Sequence, residues 1–197
     1  MDIAVLLFDD FETLDVYGPV EVFGQLVDLY TIKFYSLNGG QIKNRHGVST
    51  LTTKLAHVND NLEIFIVPGG IGTRKEVENK LLIDKIKEIS TFSKFVLTVC
   101  TGSALLARTG LLDNKTATSN KRAFSWVMTN GTNVNWNKKA RWTIADKYYT
   151  SSGVSAGIDM ALGFISDRHG IEFARRIAFE IEYNWTEDKD NDTFKVE

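Results

Sequence analysis

The stretch FVLTVCTGSALLARTG, residues Phe95 to Gly110, decides the fold of this chain. It opens with an apolar run typical of a buried strand and continues into small and apolar residues at helical spacing. We predict a strand over residues 94–99, a sharp turn at Cys100, and a helix from Gly102 to a left-handed cap at Gly110. A strand that runs directly into a helix is the repeating unit of a parallel sheet covered by helices.

The same alternation extends over most of the chain. Short apolar runs that end in Asp, Gly or Pro indicate buried strands, and apolar residues three and four positions apart indicate helices between them. This pattern predicts an α/β fold with a mostly parallel sheet covered on both faces. The individual predictions are strands over 3–7, 31–36 and 63–67, a helix over 19–29 with Pro19 in its first turn, a hairpin that pairs 141–145 with 148–151, and closing helices through 158–165 and 174–181.

Length and composition favour one globular domain. The chain has 197 residues, of which 43% are hydrophobic and 24% charged, and a chain of this size and balance is expected to form one core. The last dozen residues, TEDKDNDTFKVE, are almost all polar. We predict a single domain over residues 1–185 and a polar, frayed C-terminal tail over residues 186–197.

The overall charge and the N-terminus exclude several classes of partner. A formal net charge of −2 gives no basic surface for nucleic acid. The apolar run at residues 3–8 is shorter than a signal or membrane segment, and the one cysteine of the sequence forms no internal disulfide. We therefore expect a cytoplasmic protein with no membrane or nucleic-acid partner. His46, His57 and His169 match no metal-ligand spacing, so no metal is expected.

The only cysteine stands at the predicted strand-to-helix turn. A lone cysteine is often a small buried hydrophobe, and that interpretation stays open here. In the functional interpretation Cys100 is the cysteine analogue of a nucleophile elbow, which presents a side chain at the carboxyl edge of the sheet. The N–H groups that open the following helix would then lower the pKa of the thiol.

Two further stretches are predicted to lie at the same edge of the sheet. Asp15 precedes the predicted helix by a few residues, where a carboxylate is either a helix cap or a general acid/base. The loop VPGGIGT, Val67 to Thr73, matches neither a Walker motif nor a dinucleotide fingerprint. This loop is either a plain tight turn or a source of backbone N–H groups that stabilise negative charge near Cys100.

Four stretches taken together resemble the DJ-1/PfpI superfamily. They are LDVYGPVEVF, FIVPGG, FVLTVCTGSALLARTGLLDNKTAT and SSGVSAGIDMALGFISDRHG, and the resemblance spans residues 1–185. Asp15 before Gly18 and Pro19, with Thr101 after Cys100, is most similar to the isonitrile (isocyanide) hydratase branch and to the sensing domains of AraC-type regulators. The resemblance implies a flavodoxin-like three-layer α/β sandwich of the class I glutamine-amidotransferase type, commonly a homodimer.

The resemblance also implies roles for individual residues. It makes Cys100 the nucleophile and Asp15 its acid/base partner, with Thr101 completing the catalytic set. Backbone N–H groups of Gly70 and Thr101 would stabilise negative charge, and no cofactor is required. One departure concerns Asn120, which stands where many relatives have a histidine. Asparagine cannot shuttle protons near neutral pH, so this departure weakens cysteine–histidine chemistry and leaves a cysteine–aspartate mechanism intact.

Three functions are compatible with these features. The leading hypothesis is a carbon–nitrogen lyase that adds water to a small substrate such as an isonitrile and yields an N-substituted formamide. The second is a ligand-sensing or regulatory module related to the N-terminal domain of AraC-type regulators. The third is a redox-sensing stress-response protein, in which the thiol at Cys100 is oxidised.

Overall fold

The computed structural model describes residues 1–196. In chain order the strands are β1 (Asp2–Leu6), β2 (Thr31–Ser36), β3 (Gly40–Lys43), β4 (Ser49–Lys54), β5 (Leu62–Val67), β6 (Phe95–Thr98), β7 (Thr116–Ala117), β8 (Asn135–Trp136), β9 (Trp142–Ala145) and β10 (Tyr148–Ser151). The α-helices are α1 (Thr13–Gly24), α2 (Thr73–Glu76), α3 (Lys80–Phe92), α4 (Gly102–Arg108), α5 (Phe124–Met128), α6 (Ala156–His169) and α7 (Ile171–Glu180).

The central sheet of the described chain has eight strands in the order β3-β4-β2-β1-β5-β6-β10-β9. All neighbours from β4 to β10 are parallel, and only β3 and β9, at the two edges, pair antiparallel with β4 and β10. The predicted hairpin is therefore confirmed as the β9–β10 pair. The mostly parallel sheet with flanking helices is confirmed as well, as is the three-layer flavodoxin-like fold.

The core is densest where the inner strands meet the helices. Strand β6 and most of β1 and β5 are buried, as expected for strands covered on both faces. The ring of Phe164 in α6 makes edge-to-face contacts with Phe23, Phe95 and Tyr149, at centroid distances of 5.8, 5.1 and 5.2 Å. These aromatic contacts connect α1, β6 and β10 to one helix and so hold the elements that carry the site.

The first helix differs from its predicted span. It begins at Thr13 and ends at Gly24, so Pro19 lies in its interior rather than in its first turn. A proline inside a helix costs a backbone hydrogen bond. Packing outweighs that cost here, because Gly18 lies directly against Ile158 of α6 and leaves no room for a side chain. Beyond the helix only Leu26 of residues 25–29 is buried, Val27 is 76% exposed, and the chain continues in tight turns such as the one closed by the Leu29 N–H and the Leu26 carbonyl.

Strands β3 and β4 were not predicted from the sequence. Their segments, GQIK and STLTTK, are mostly exposed, and they lack the alternation of apolar residues that marks a half-buried strand. The small β7–β8 pair is too short to give any pattern.

The prediction that the C-terminal tail frays is wrong for residues 189–192. The backbone N–H of Arg141 donates to the Lys189 carbonyl at 2.7 Å, and the Asp192 N–H donates to the Lys139 carbonyl at 2.7 Å. Asp192 is fully buried, and its carboxylate lies 3.4 Å from the Arg141 guanidinium, which also pairs with buried Asp159 at 2.6 Å. Residue 197 of the predicted tail lies outside the described residues. No helix within residues 1–196 is long and apolar enough to cross a bilayer.

We expect Arg141→Met to destabilise the fold by about 3 kcal/mol, because it leaves two buried carboxylates without their cation. The measurement is the free energy of unfolding in urea. The matched control is Arg175→Met, since Arg175 forms similar ion pairs with Glu172 and Glu187 at an exposed position, where such pairs contribute little. Equal effects of the two substitutions would contradict this account of the buried cluster.

Candidate active site

The candidate site forms where three inner strands end. Strands β1, β5 and β6 are parallel neighbours, so the segments that follow them meet at one edge of the sheet. Two backbone hydrogen bonds join the first two of these segments, from the Glu12 N–H to the Gly69 carbonyl at 2.9 Å and from the Gly72 N–H to the Asp10 carbonyl at 3.2 Å. The third segment brings Cys100 against them.

Cys100 occupies the predicted strand-to-helix turn, between β6 and α4, with a positive φ of 57°. Its N–H donates to the Ser152 carbonyl at 3.2 Å. Its carbonyl accepts from the hydroxyls of Ser119 and Ser103 at 2.7 and 3.1 Å. The residue is only 5% exposed, yet it lines a cavity of about 440 Å³. The turn is therefore fixed by hydrogen bonds, and the thiol is reached through this cavity.

Asp15 lies in the first turn of α1 rather than before the helix. Its side chain is fully buried, and Oδ2 accepts a hydrogen bond from the Gly69 N–H at 2.9 Å. Oδ1 has no hydrogen-bond partner of ordinary geometry within residues 1–196. The helix-cap interpretation is wrong, because Asp15 lies inside the first turn, the N-cap residue is Glu12, and the Asp15 carboxylate accepts from the Gly69 N–H rather than from an N–H of its own helix. The carboxyl instead binds the loop after β5 through Gly69 and lies beside the thiol of Cys100.

Burial dominates the electrostatics of this pair. It raises the pKa of the Asp15 carboxyl well above its usual range, although the Gly69 N–H and the contact with Cys100 act in the opposite direction. It also raises the pKa of the Cys100 thiol, and the negative charge of Asp15 raises it further. The predicted lowering of the thiol pKa by the following helix is therefore wrong, since desolvation exceeds that effect.

Asn120 donates a hydrogen bond from its side-chain amide to the Cys100 sulfur. Its Oδ1 accepts from the Ala123 N–H at 3.0 Å, which turns the Nδ2 amide toward Cys100. The hydrogen bond from this amide, like that from the Thr101 N–H, lowers the thiol pKa against the effect of burial. Gly153 leaves room for the contact, because a side chain there would collide with both Asn120 Nδ2 and the sulfur.

Thr101 and Gly70 both line the cavity beside Cys100, but the hydrogen bonds of their backbone N–H groups differ. The Gly70 N–H donates to the Thr101 hydroxyl at 3.1 Å and so is engaged in this arrangement rather than directed at the sulfur. The Thr101 backbone N–H faces Cys100. The Thr73 hydroxyl donates to the Gly70 carbonyl at 2.7 Å and lies 3.1 Å from the Thr101 hydroxyl. These contacts hold the β5 loop against the start of α4.

Sequence reasoning missed three contributors to the site. Gly69 donates its backbone N–H to the Asp15 carboxylate, whereas the resemblance implies a donor role in this loop for Gly70 alone. Arg74 and Arg122 line the cavity beside Cys100, and no motif marks either of them. No group of three or more His, Cys, Asp or Glu side chains within residues 1–196 is arranged to hold a metal ion.

Known proteins are similar to this chain in sequence and in fold. A model of the DJ-1/PfpI family matches residues 1–167. The chain belongs to this family. It is 30% identical over 190 residues to an isonitrile hydratase from Pseudomonas putida, covering 93% of this chain and 78% of that protein.

More distant family relatives include regulators. The chain is 27% identical to the HTH-type transcriptional regulator GbdR of Pseudomonas aeruginosa over 89% of its own length, but it spans only 49% of that regulator. Among solved structures, a ThiJ/PfpI family protein from Pseudomonas syringae superposes with a TM-score of 0.81 at 23% identity. That match covers 94% of this chain and 76% of the other. The likeness supports the shared fold.

We expect Asn120→Asp to slow alkylation of Cys100 by iodoacetamide and to shift its pH midpoint upward. Aspartate keeps the acceptor for the Ala123 N–H but replaces the amide donor with a second carboxylate beside the sulfur, which disfavours the thiolate. The measurement is the rate of alkylation against pH, followed by intact mass. An unchanged profile would mean that the Asn120 amide does not stabilise the thiolate.

Proposed function

We propose that this protein hydrates an isonitrile to an N-substituted formamide, with Cys100 as nucleophile and Asp15 as general acid and base. The observation that carries the proposal is the buried Asp15 carboxyl facing the Cys100 thiol, with the amide of Asn120 beside the sulfur. A thiol and one carboxyl suffice for adding water in two steps. The similarity to an isonitrile hydratase supports this reaction over others of the family.

In the first step the thiol adds to the terminal carbon of the isonitrile, R–N≡C. Protonated Asp15 gives its proton to that carbon, the sulfur forms a bond to it, and the thiol proton passes to Asp15. The product is a thioimidate, R–N=CH–S–Cys100, with Asp15 protonated again. The raised pKa of Asp15 suits this step, because the carboxyl holds its proton to a higher pH than an exposed aspartate does.

In the second step water replaces the sulfur. Asp15 gives its proton to the nitrogen and takes one from the attacking water, which forms R–NH–CH(OH)–S–Cys100. The carbon–sulfur bond then breaks, and the sulfur takes the hydroxyl proton through Asp15. The formamide R–NH–CHO leaves, and both groups return to their starting state. The net reaction adds one water to one isonitrile.

The two alternative functions are less well supported by the site. A redox-sensing thiol is accessible and has a low pKa, whereas Cys100 is buried and its pKa is raised. The similarity to an HTH-type transcriptional regulator favours ligand sensing. Binding of an isonitrile in the pocket without its conversion to a formamide would support that function. The homodimer and the cytoplasmic location expected from the sequence stay predictions, and light scattering tests the first.

We expect Asp15→Asn to abolish hydration of cyclohexyl isocyanide while leaving the fold intact, because asparagine still accepts from the Gly69 N–H but carries no transferable proton. Formation of the N-formamide is measured by chromatography. Cys100→Ser should lose activity as well. The matched control is Asp9→Asn, since Asp9 is an exposed carboxylate on the neighbouring loop that does not line the cavity.

Two results would overturn the proposal. One is full turnover by Asp15→Asn or Cys100→Ser. The other is a wild-type protein that hydrates no isonitrile in a panel of aliphatic and aromatic compounds, which would favour the sensing function.

A further inference from the structure

The cavity above Cys100 has a strongly cationic mouth. Three arginines line it, Arg45, Arg74 and Arg122, whereas Glu12 is its one acidic lining residue within the described chain. The Arg45 guanidinium lies 3.7 Å from the Glu12 carboxylate, so these two charges largely offset each other. Arg74 and Arg122 remain as an excess of two positive charges around a small pocket.

Arg74 is held in place without using its hydrogen-bond donors. Its guanidinium lies over the ring of Trp126, 3.3 Å from the ring centroid. Stacking of this kind fixes the plane of the guanidinium and leaves the N–H groups at its edge free for a ligand. Arg74 has no side-chain hydrogen bond or ion pair to any of residues 1–196.

Arg122 is positioned by the same turn that carries Asn120. It lies in the short 3-10 turn Lys121–Ala123, which begins with the hydrogen bond between Asn120 and Ala123. Its side chain also has no ion-pair partner within residues 1–196. The turn therefore directs one amide at the sulfur and presents one cation at the mouth of the same pocket.

The charges of the pocket floor do not account for these cations. The Asp15 carboxyl accepts a hydrogen bond from the Gly69 N–H and faces the Cys100 thiol, and it forms no ion pair with Arg74 or Arg122. Two arginines that line a pocket without an ion-pair partner are typical of a site that receives an anion from solution.

We propose that the substrate carries a carboxylate close to its reactive group, and that Arg74 and Arg122 bind this carboxylate and select for it. The identity of the reactive group rests on the proposed function, whereas binding of the carboxylate does not. A guanidinium matches a carboxylate through two parallel N–H···O bonds. A cavity of about 440 Å³ accommodates a small acid whose other end reaches Cys100.

The first test compares two isonitriles with the same reactive end, the anionic isocyanoacetate and its neutral methyl ester, methyl isocyanoacetate. We expect the wild-type protein to prefer the free acid in kcat/KM by about tenfold or more, as is typical of a charge-assisted hydrogen bond. Arg74→Gln/Arg122→Gln should lose this preference, so that the ratio of kcat/KM for the acid to kcat/KM for the ester falls toward one. Lys75→Gln is the matched control, because Lys75 is an exposed cation of the same helix that does not line the cavity.

The second test measures binding without turnover. N-Formylglycine should protect Cys100 from iodoacetamide in the wild type and in Lys75→Gln, and it should not protect the double variant. The methyl ester of N-formylglycine should protect the wild type no better than it protects the double variant. The rate of alkylation without any ligand reports on the thiolate of Cys100 itself. If the double variant is alkylated more slowly but N-formylglycine still protects it, the arginines stabilise the thiolate rather than bind the ligand, and the inference is overturned.

The outcomes separate the two claims. Protection by N-formylglycine that depends on the two arginines, without turnover of either isonitrile, supports carboxylate binding and refutes the hydratase reaction. Turnover with equal or better use of the ester refutes carboxylate selection and leaves the hydratase intact. Absence of protection together with absence of turnover refutes both.

Discussion

The left-handed turn at Cys100 is the constraint on which the site depends. A non-glycine residue at a φ of 57° costs about 1–3 kcal/mol, and here the turn is held by hydrogen bonds to Ser152, Ser103 and Ser119. Because those partners come from the end of β10, the start of α4 and the segment after β7, the turn connects separate parts of the chain. It directs the sulfur toward Asp15 rather than into the core.

Burial decides the chemistry that this geometry supports. A helix N-terminus contributes about 1 kcal/mol to an anion, whereas full burial shifts a pKa by up to about 3–5 units. Burial therefore disfavours the thiolate, and in the proposed mechanism proton transfer through Asp15 accompanies attack by the thiol. Asn120 and the Thr101 N–H supply the hydrogen bonds that receive the developing thiolate. Because Asp15 accepts from the Gly69 N–H and forms no ion pair with Arg74 or Arg122, these two cavity-lining cations are available to a ligand.

The sequence predicts those parts of the protein that are buried and regular. A mostly apolar run predicts β1, β5 and β6, and a turn that contains glycine marks the end of β2. The turn at Cys100 is predicted because a strand pattern changes directly into a helix pattern there. Strands β3 and β4 escaped because an exposed edge needs no apolar pattern. The start of α1 escaped because packing of Gly18 against Ile158 outweighs an internal proline. The direction of the thiol pKa was missed because burial is a property of the folded site.

The most direct test of the central claim is the intact mass of the protein during turnover. With an isonitrile present and the reaction quenched rapidly, the account predicts a protein heavier by the mass of one isonitrile, because the thioimidate contains every substrate atom. Peptide mapping should place the added mass on Cys100, and Cys100→Ser should show none. Rapid formation of the formamide with no added mass at any time, or with the added mass on another residue, would contradict nucleophilic attack by Cys100.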